Sequence, residues 1–308
     1  MKIATSYLDL IGNTPLVELS RIEKKENLSC RILAKVEMHN PSGSVKIRIA
    51  KHMIDVAFQE GLINDKSIII EATSGNTGVA LALVCACFGL HFIATMPESM
   101  SIERRKLIKA YGGEIILTPK EDGMKGAVNK ALQLKEVYGN AFIPSQFENK
   151  ANPEAYYLSL GREIYRDIDG KIDILVAGIG TGGTISGCAR YFKEINAKVK
   201  IIGVEPSSSP LISKGVSGSH QIQGIGANFI PKTLALDLID NVVTIKDEEA
   251  FLGARMLAQI EGLFVGISSG AAFYAALNEV KKEENKGKNI VVILPDTGER
   301  YLSTELVS

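Results

Sequence analysis

Ile172-Asp-Ile-Leu-Val-Ala-Gly-Ile-Gly-Thr-Gly-Gly-Thr184 is the stretch that decides the fold. Ile172–Ala177 is a short apolar, β-branched run of the length of a buried strand. Gly178–Gly183 is a glycine-rich turn, and Thr184–Glu194 carries helical spacing. A further strand pattern follows at Val199–Val204. Strand, turn, helix and strand in this order form a βαβ unit, which requires parallel strands. The same alternation runs through the first half. Ala50, Met53, Ile54, Ala57 and Phe58 form a helical stripe that Gly61 is placed to stop. Ser67–Glu71 reads as a strand, Val79–Phe88 as a helix, His91–Met96 as a strand, Ser101–Ala110 as a helix and Glu114–Thr118 as a strand. Near the end, Ala271–Lys282 reads as a helix and Asn289–Leu294 as a strand. The expected fold is α/β, in layers with mainly parallel sheets.

Composition sets the outer limits. The chain has 308 residues, 45% apolar and 23% charged, enough for two domains with substantial cores. Lys plus Arg equals Asp plus Glu at 35 each, which argues against a broad nucleic-acid or anionic-membrane footprint. Gly78–Met96 is apolar except for His91, but Gly89 and His91 break it, so a buried helix followed by a strand fits better than a membrane span. No membrane association is expected. Met1–Leu10 lacks the apolar core of a secretory signal, and the expected setting is cytoplasmic. Cys30, Cys85, Cys87 and Cys188 form no CxxC array and read as ordinary buried thiols; with four scattered histidines, no metal site is expected. Polar, proline-containing Pro144–Pro153 is the candidate domain boundary.

Four turns carry the candidate chemistry. Gly178-Ile-Gly-Thr-Gly-Gly183 fits GxGxxG between a strand and a helix, and Glu205 lies about twenty residues on, ending the next strand, as a dinucleotide site would have it. The N–H groups and hydroxyls of Gly180, Thr181, Gly182, Gly183 and Thr184 at a helix start would equally cradle a single phosphate. A plain strand–helix turn explains the segment too. Asn40-Pro-Ser-Gly-Ser-Val-Lys46 places a lysine at the start of a helix. The positive end of the helix dipole disfavours a charged amine there, and partial burial disfavours it further. A neutral amine can form a Schiff base with an aldehyde, although a lysine so placed is ordinarily solvated surface. Thr73-Ser-Gly-Asn-Thr-Gly78 follows a buried strand and offers N–H groups, hydroxyls and an amide suited to a carboxylate; a helix-capping turn is the alternative. Val265-Gly-Ile-Ser-Ser-Gly-Ala271 places serine hydroxyls at a third such junction, where one could hydrogen-bond a heterocyclic nitrogen without protonating it or simply cap the helix.

Taken together these segments resemble the cysteine synthase (O-acetylserine sulfhydrylase) family of fold-type-II pyridoxal-phosphate enzymes. The resemblance also rests on Ile11-Gly-Asn-Thr-Pro-Leu-Val17, Glu71–Gly78, Met96-Pro-Glu-Ser-Met-Ser-Ile-Glu-Arg-Arg-Lys106, Gln223-Gly-Ile-Gly-Ala227 and Gly298-Glu-Arg-Tyr-Leu-Ser-Thr304, so it spans nearly the whole chain. It displaces the dinucleotide reading. It implies two three-layer α/β/α domains of tryptophan-synthase-β-like type: a smaller mobile domain over 38–147, and a larger one from 1–37 plus 148–308. It implies that Lys46 holds pyridoxal 5'-phosphate as a Schiff base and then serves as acid and base. Asn76 would contact the ring oxygen, Gly180–Thr184 the phosphate, and Ser268 the pyridine nitrogen. Thr73, Ser74, Gly75, Asn76, Thr77 and Gln146 would hold the substrate carboxylate. The implied reaction is β-replacement through α-aminoacrylate, turning O-acetylserine and sulfide into cysteine and acetate. The implied assembly is a homodimer that could bind the C-terminal tail of serine acetyltransferase.

Three departures bear on that expectation. Asn228 stands where the family usually has glycine, and a polar side chain there could position water or exclude a large nucleophile. An aspartate could act as a base for water; an asparagine cannot. The bland alternative is a loop asparagine at positive φ. Tyr156-Tyr-Leu-Ser-Leu-Gly161 replaces a more polar stretch, and Asp296-Thr297 replace small neutral or aromatic residues; Asp296 could be a pocket acid, but a solvated loop charge is the favoured reading. These changes keep open a cysteine hydroxyl-lyase that releases hydrogen sulfide and forms serine, a cystathionine β-synthase-like use of homocysteine, and a silent scaffold for the acetyltransferase tail.

Overall fold

The computed structural model describes residues 3–73, 75–195 and 197–308. In chain order the strands are β1 (Leu16–Glu18), β2 (Arg31–Val36), β3 (Ile68–Ala72), β4 (His91–Pro97), β5 (Glu114–Thr118), β6 (Ala141–Phe142), β7 (Ile174–Gly178), β8 (Lys200–Pro206), β9 (Asn241–Ile245) and β10 (Asn289–Leu294). The helices are α1 (Ser20–Lys25), α2 (Lys46–Gln59), α3 (Asn76–Phe88), α4 (Ile102–Ala110), α5 (Gly123–Tyr138), α6 (Ala151–Leu158), α7 (Leu160–Asp167), α8 (Gly183–Glu194), α9 (Leu211–Lys214), α10 (Asp247–Glu261) and α11 (Ile267–Val280). Contacts divide the chain into an inserted unit, made of the residues up to Ile11 and Asn40–Ala151, and a flanking unit of Gly12–His39 and Asn152–Ser308.

The inserted unit is built on an all-parallel sheet of order β5-β4-β3-β6. Strand β3 reads as a continuous apolar run because both its faces are covered. Ile69 packs with buried residues of α2 and α3, among them Ile47, Ile54, Val79 and Leu83. Ile68 and Ile70 point the other way, onto Ala131 and Leu134 of α5. The apolar run Gly78–Met96 resolves into α3 and β4, hinged at Gly89, which takes the left-handed conformation at φ 71°. The chain steps outward from β3 to β4 to β5, then returns to lay β6 on the opposite side of β3. That reversal opens a crevice at the C-terminal ends of β3 and β6, the position at which open α/β sheets bind ligands.

The flanking unit has a sheet of order β1-β2-β10-β7-β8-β9, parallel except for the β1–β2 pair. Ile32, Ala34 and Val36 of β2, Ile290, Val292 and Leu294 of β10, and Ile174 and Val176 of β7 share one core with Ala272, Phe273 and Ala276 of α11. Full burial of one such Ile, Val or Leu contributes about 1.5–3 kcal/mol. On the opposite face of β2, Lys35 is fully buried yet satisfied, donating to Asp167 at 2.8 Å and to the Thr14 carbonyl at 2.7 Å, with Glu163 at 3.3 Å. The Thr14 hydroxyl donates to buried Glu37 at 2.6 Å, so Thr14 is held through both its carbonyl and its hydroxyl by charge-assisted bonds. Here too the strand order reverses, between β7 and β10.

Among the described residues no helix is long and apolar enough to cross a membrane, and no group of three or more His, Cys, Asp or Glu is placed to hold a metal ion. Cys30, Cys85 and Cys188 are buried, whereas Cys87 is exposed, against the expectation of four buried thiols. Residues i and i+2 of a helix face different ways, and burial pushes the Cys85 thiol up to about 12.

Candidate active site

In the inserted unit, the turn leaving β3 supplies the predicted carboxylate residues. Thr73 is buried, and its hydroxyl accepts from the N–H groups of Gly75 at 3.3 Å and Gly78 at 3.2 Å, which curls the turn into the first residues of α3. Asn76 and Thr77 are those first residues, where helical N–H groups lack intrahelical partners. Ser74 lies outside the described residues. Gln146 comes from the loop after β6, almost seventy residues away in sequence, yet its Oε1 accepts the Thr77 hydroxyl at 2.6 Å. Thr73, Gly75, Asn76, Thr77 and Gln146 therefore share the β3–β6 crevice.

Lys46 is the first residue of α2, as its glycine- and serine-containing turn predicts, and it is half-buried. Pro41–Gly43 forms a short 3-10 turn ahead of it, with Ser42 in the left-handed region at φ 68°.

Sequence reasoning assigned no role to two groups in this unit. Arg104 of α4 is buried, with its guanidinium carbon 3.6 Å from where a Cβ on Gly75 would lie, so a cation stands beside the carboxylate turn. Glu71 of β3 is buried, and both its oxygens accept backbone N–H groups: Oε2 from Ser145 at 3.0 Å and Oε1 from Gln146 at 3.1 Å. A lone carboxylate ending the run Ile68–Ile70 was the available signal. Burial raises its pKa to about 7, opposed by the Gln146 and Ser145 N–H bonds. Protons are therefore held more tightly in the folded chain than in the unfolded one, where the ordinary value is 4.5. This contribution to stability is complete below about pH 4.5 and is lost as pH rises through about 7. Glu71→Gln cannot titrate. Between pH 4.5 and 8 its stability relative to the wild type is expected to shift in the variant's favour by on the order of 3 kcal/mol, measured by urea unfolding at each pH.

In the flanking unit, the turn between β7 and α8 is shaped for an anion. Among the described residues nothing accepts from the N–H groups of Gly180, Thr181, Gly182 or Thr184. All four sit at the N-terminus of a twelve-residue helix, where the dipole adds to their pull on negative charge. Gly182 takes φ 81°, a conformation natural to glycine. The Thr181 hydroxyl accepts from the Asn152 amide at 3.1 Å and from the Gly183 N–H at 3.3 Å, which fixes the turn. A Cβ on Gly180 would lie 2.3 Å from the Gly224 carbonyl oxygen, so the Gln223–Ala227 loop passes directly over it. A Cβ on Gly224 would in turn stand 3.5 Å from the Ser268 hydroxyl. Ser268 is buried in the first turn of α11. The unit thus gathers a fan of unpaired N–H groups and a neutral hydroxyl around one glycine. That donor set fits a phosphate monoester carried on a nitrogen heterocycle.

Glu205 does not serve a ribose. Its carboxylate is buried and accepts from Ile212 N–H at 2.8 Å and Ser213 N–H at 3.0 Å, capping α9. Asp296, expected as a solvated loop charge, is instead fully buried and accepts the Tyr301 hydroxyl at 2.6 Å. It occupies the space that a side chain on Gly266 would need, just before Ser268. Asn228 has φ 60°, and its Oδ1 accepts the Ser209 hydroxyl at 2.8 Å. It lines a small recess together with Gly180, Ser209 and Gly226.

Comparison with known proteins agrees with this donor set. The model of a family described as pyridoxal-phosphate dependent enzyme matches residues 7–296. Cysteine synthase B of Campylobacter jejuni is 51% identical over 306 residues, covering 99% of each chain. Among solved structures, a cysteine synthase from Entamoeba histolytica superposes with a TM-score of 0.96 at 41% identity, over 99% of this chain and 91% of that one. A hydrogen sulfide-producing enzyme from Fusobacterium nucleatum superposes with a TM-score of 0.93 at 45% identity, over 97% of this chain and 100% of that one.

Proposed function

This chain belongs to the pyridoxal-phosphate dependent cysteine synthase family, and from that premise we propose that it makes cysteine and acetate from O-acetylserine and sulfide. The observation that carries the reading is the donor set of Gly180–Thr184 and Ser268, which matches the phosphate and the ring nitrogen of the family's cofactor. Bound, pyridoxal phosphate supplies the electron sink that lets an amino acid lose its α-proton and its β-substituent.

The protein's own part follows from its side chains. Lys46 anchors the cofactor through Nζ, and the same nitrogen then takes the α-proton from the substrate. Gly180, Thr181, Gly182, Gly183 and Thr184 hold the phosphate through N–H and hydroxyl groups. The Ser268 hydroxyl donates to the ring nitrogen and leaves it unprotonated, which favours prompt departure of a β-leaving group over transamination. Asn76 donates to the ring oxygen. Thr73, Ser74, Gly75, Asn76, Thr77 and Gln146 bind the carboxylate and turn the α-hydrogen toward the base. Closure of the carboxylate turn, the smaller domain moving with it, excludes water. The protein acts in the cytoplasm as a homodimer, and its carboxylate turn can also receive the C-terminal carboxylate of serine acetyltransferase.

A second reading has an observation behind it. The Fusobacterium relative is a hydrogen sulfide-producing enzyme, and polar Asn228 stands beside Gly180 in the small recess. On that reading cysteine is the substrate, sulfide leaves, and water adds to give serine. Asn228 is no base, so it could only orient the water. The experiment supplies the purified holoenzyme with O-acetylserine plus sulfide, and separately with cysteine alone, and quantifies cysteine, serine and sulfide. Cysteine formation at least a hundredfold faster than sulfide release is expected. Faster sulfide release with stoichiometric serine overturns the first reading in favour of the second. A colourless protein that turns over neither sinks both and leaves a scaffold.

A further inference from the structure

We propose that Glu71 is a positioning residue for the amino-acid substrate: it pins the Ser145–Gln146 turn across the β3–β6 crevice and so aims the Gln146 side-chain amide at the substrate carboxylate. The inference rests on the reading of Thr73–Thr77 and Gln146 as the carboxylate site.

The geometry starts where the sheet ladder ends. Strand β6 is two residues long and pairs with β3 only at Ile68↔Ala141 and Ile69↔Phe142. Beyond Phe142 the chain has left the ladder, and the N–H groups of Ser145 and Gln146 need other acceptors. Glu71 lies two residues beyond the last paired position of β3 and supplies both, one to each carboxylate oxygen, at 3.0 and 3.1 Å. Ser145 takes φ 55°, an uncommon conformation for serine that the paired bonds hold in place. With its backbone fixed, Gln146 uses Oε1 to accept the Thr77 hydroxyl at 2.6 Å. With Oε1 turned to the Thr77 hydroxyl, the NH2 group points away from Thr77, and it is the end of the amide that can donate to a carboxylate.

Fold stability does not explain a carboxylate there. Its immediate neighbours on the strand are Ile70 and Ala72, both faces of β3 are covered, and burial raises the Glu71 pKa to about 7. An apolar residue would avoid that penalty but could not accept two N–H groups. The penalty is offset by loop geometry.

The test compares wild type, Glu71→Gln, Gln146→Ala and the double variant as holoenzymes. Glu71→Gln keeps one acceptor and turns an amide NH2 toward the other N–H. Its KM for O-acetylserine is expected to rise at least tenfold. Its kcat should stay within threefold and its KM for sulfide should not move. Hydrogen exchange at the Ser145 and Gln146 amides should lose protection, while stability at pH 8 is not lowered. Because Glu71 acts through Gln146, the double variant should be no worse than Gln146→Ala alone. Fully additive costs, or lost amide protection with an unchanged KM, would overturn the proposal. Should Glu71→Gln fail to fold, Glu71→Asp, which keeps the charge and retracts it by one methylene, is read in the same cycle. A wild-type enzyme whose visible spectrum ignores O-acetylserine sinks the functional reading and this inference with it. A responsive wild type, with variants that respond at the same substrate concentration, sinks the inference alone.

Discussion

Lys46→Ala is expected to lower kcat/KM for O-acetylserine by about 10⁴-fold or more while leaving the unfolding midpoint nearly unchanged. The position makes the two effects separable. Lys46 opens α2 and is half-buried, with Ile47, Ile49 and Ala50 beyond it carrying the packing of the helix. Alanine is the best helix former, so the backbone of this turn tolerates the change. What disappears is a single nitrogen with two assigned duties, the covalent hold on the cofactor and the removal of the α-proton. Borohydride reduction separates them: in the wild type it should leave a cofactor-sized mass increment on the peptide containing Lys46, and in the variant none. A variant that keeps more than about one per cent of wild-type turnover would move the base to another residue.

Gly180→Ala is expected to weaken cofactor binding by about a hundredfold, read by titrating the apoprotein and following visible absorbance. The added carbon would sit 2.3 Å from the Gly224 carbonyl oxygen, a contact of backbone on side chain that no rotamer change can relieve. Either the Gly178–Gly183 turn or the Gln223–Ala227 loop must move. Overpacking of this kind costs about 1–3 kcal/mol where the fold absorbs it. Here the displaced part is the turn that carries the unpaired N–H groups themselves, and preorganised donors lose their value when they are moved. Moving the loop instead would carry Gly224 off its place beside Ser268. Unchanged affinity in this variant would mean that the phosphate is held elsewhere.

Much of the fold could be read in advance because local pattern and tertiary environment agree. Strands β5 and β10 begin and end at the residues that their sequence pattern predicts, and α2 stops two residues before Gly61, which takes φ 68°. Helices α5 and α10 are harder to read. The positions that α5 buries are the alanines Ala127 and Ala131, which stand out weakly from their surroundings. Strand order lies beyond local pattern altogether: β10 sits between β2 and β7 through pairings that span some 115 to 260 residues. The turns Thr73–Gly78 and Gly180–Thr184 announce themselves by glycine and hydroxyl content. Their supports do not. Glu71 meets Ser145 and Gln146, and Asn152 meets Thr181, across distances at which a sequence shows no sign of contact. Asp296 misled for a related reason. A charge in a proline–glycine loop reads as solvated until Tyr301 arrives to cover it.

The pairing of β2 with β10 also imposes an order on biogenesis. The sheet of the inserted unit is complete once Phe142 has left the ribosome, and all its strands come from a contiguous segment. Strand β2 is made before any strand of the inserted unit and waits longest for its parallel neighbour, which ends at Leu294. At about 5–20 residues per second, the interval from Phe142 to Leu294 is roughly 8–30 s. Throughout it, Ile32, Leu33, Ala34 and Val36 present an apolar edge with no strand beside them but β1. A nascent chain in that state is a client for a holdase and a nucleus for aggregation. The arrival of β10 covers that edge and joins β2 to β7.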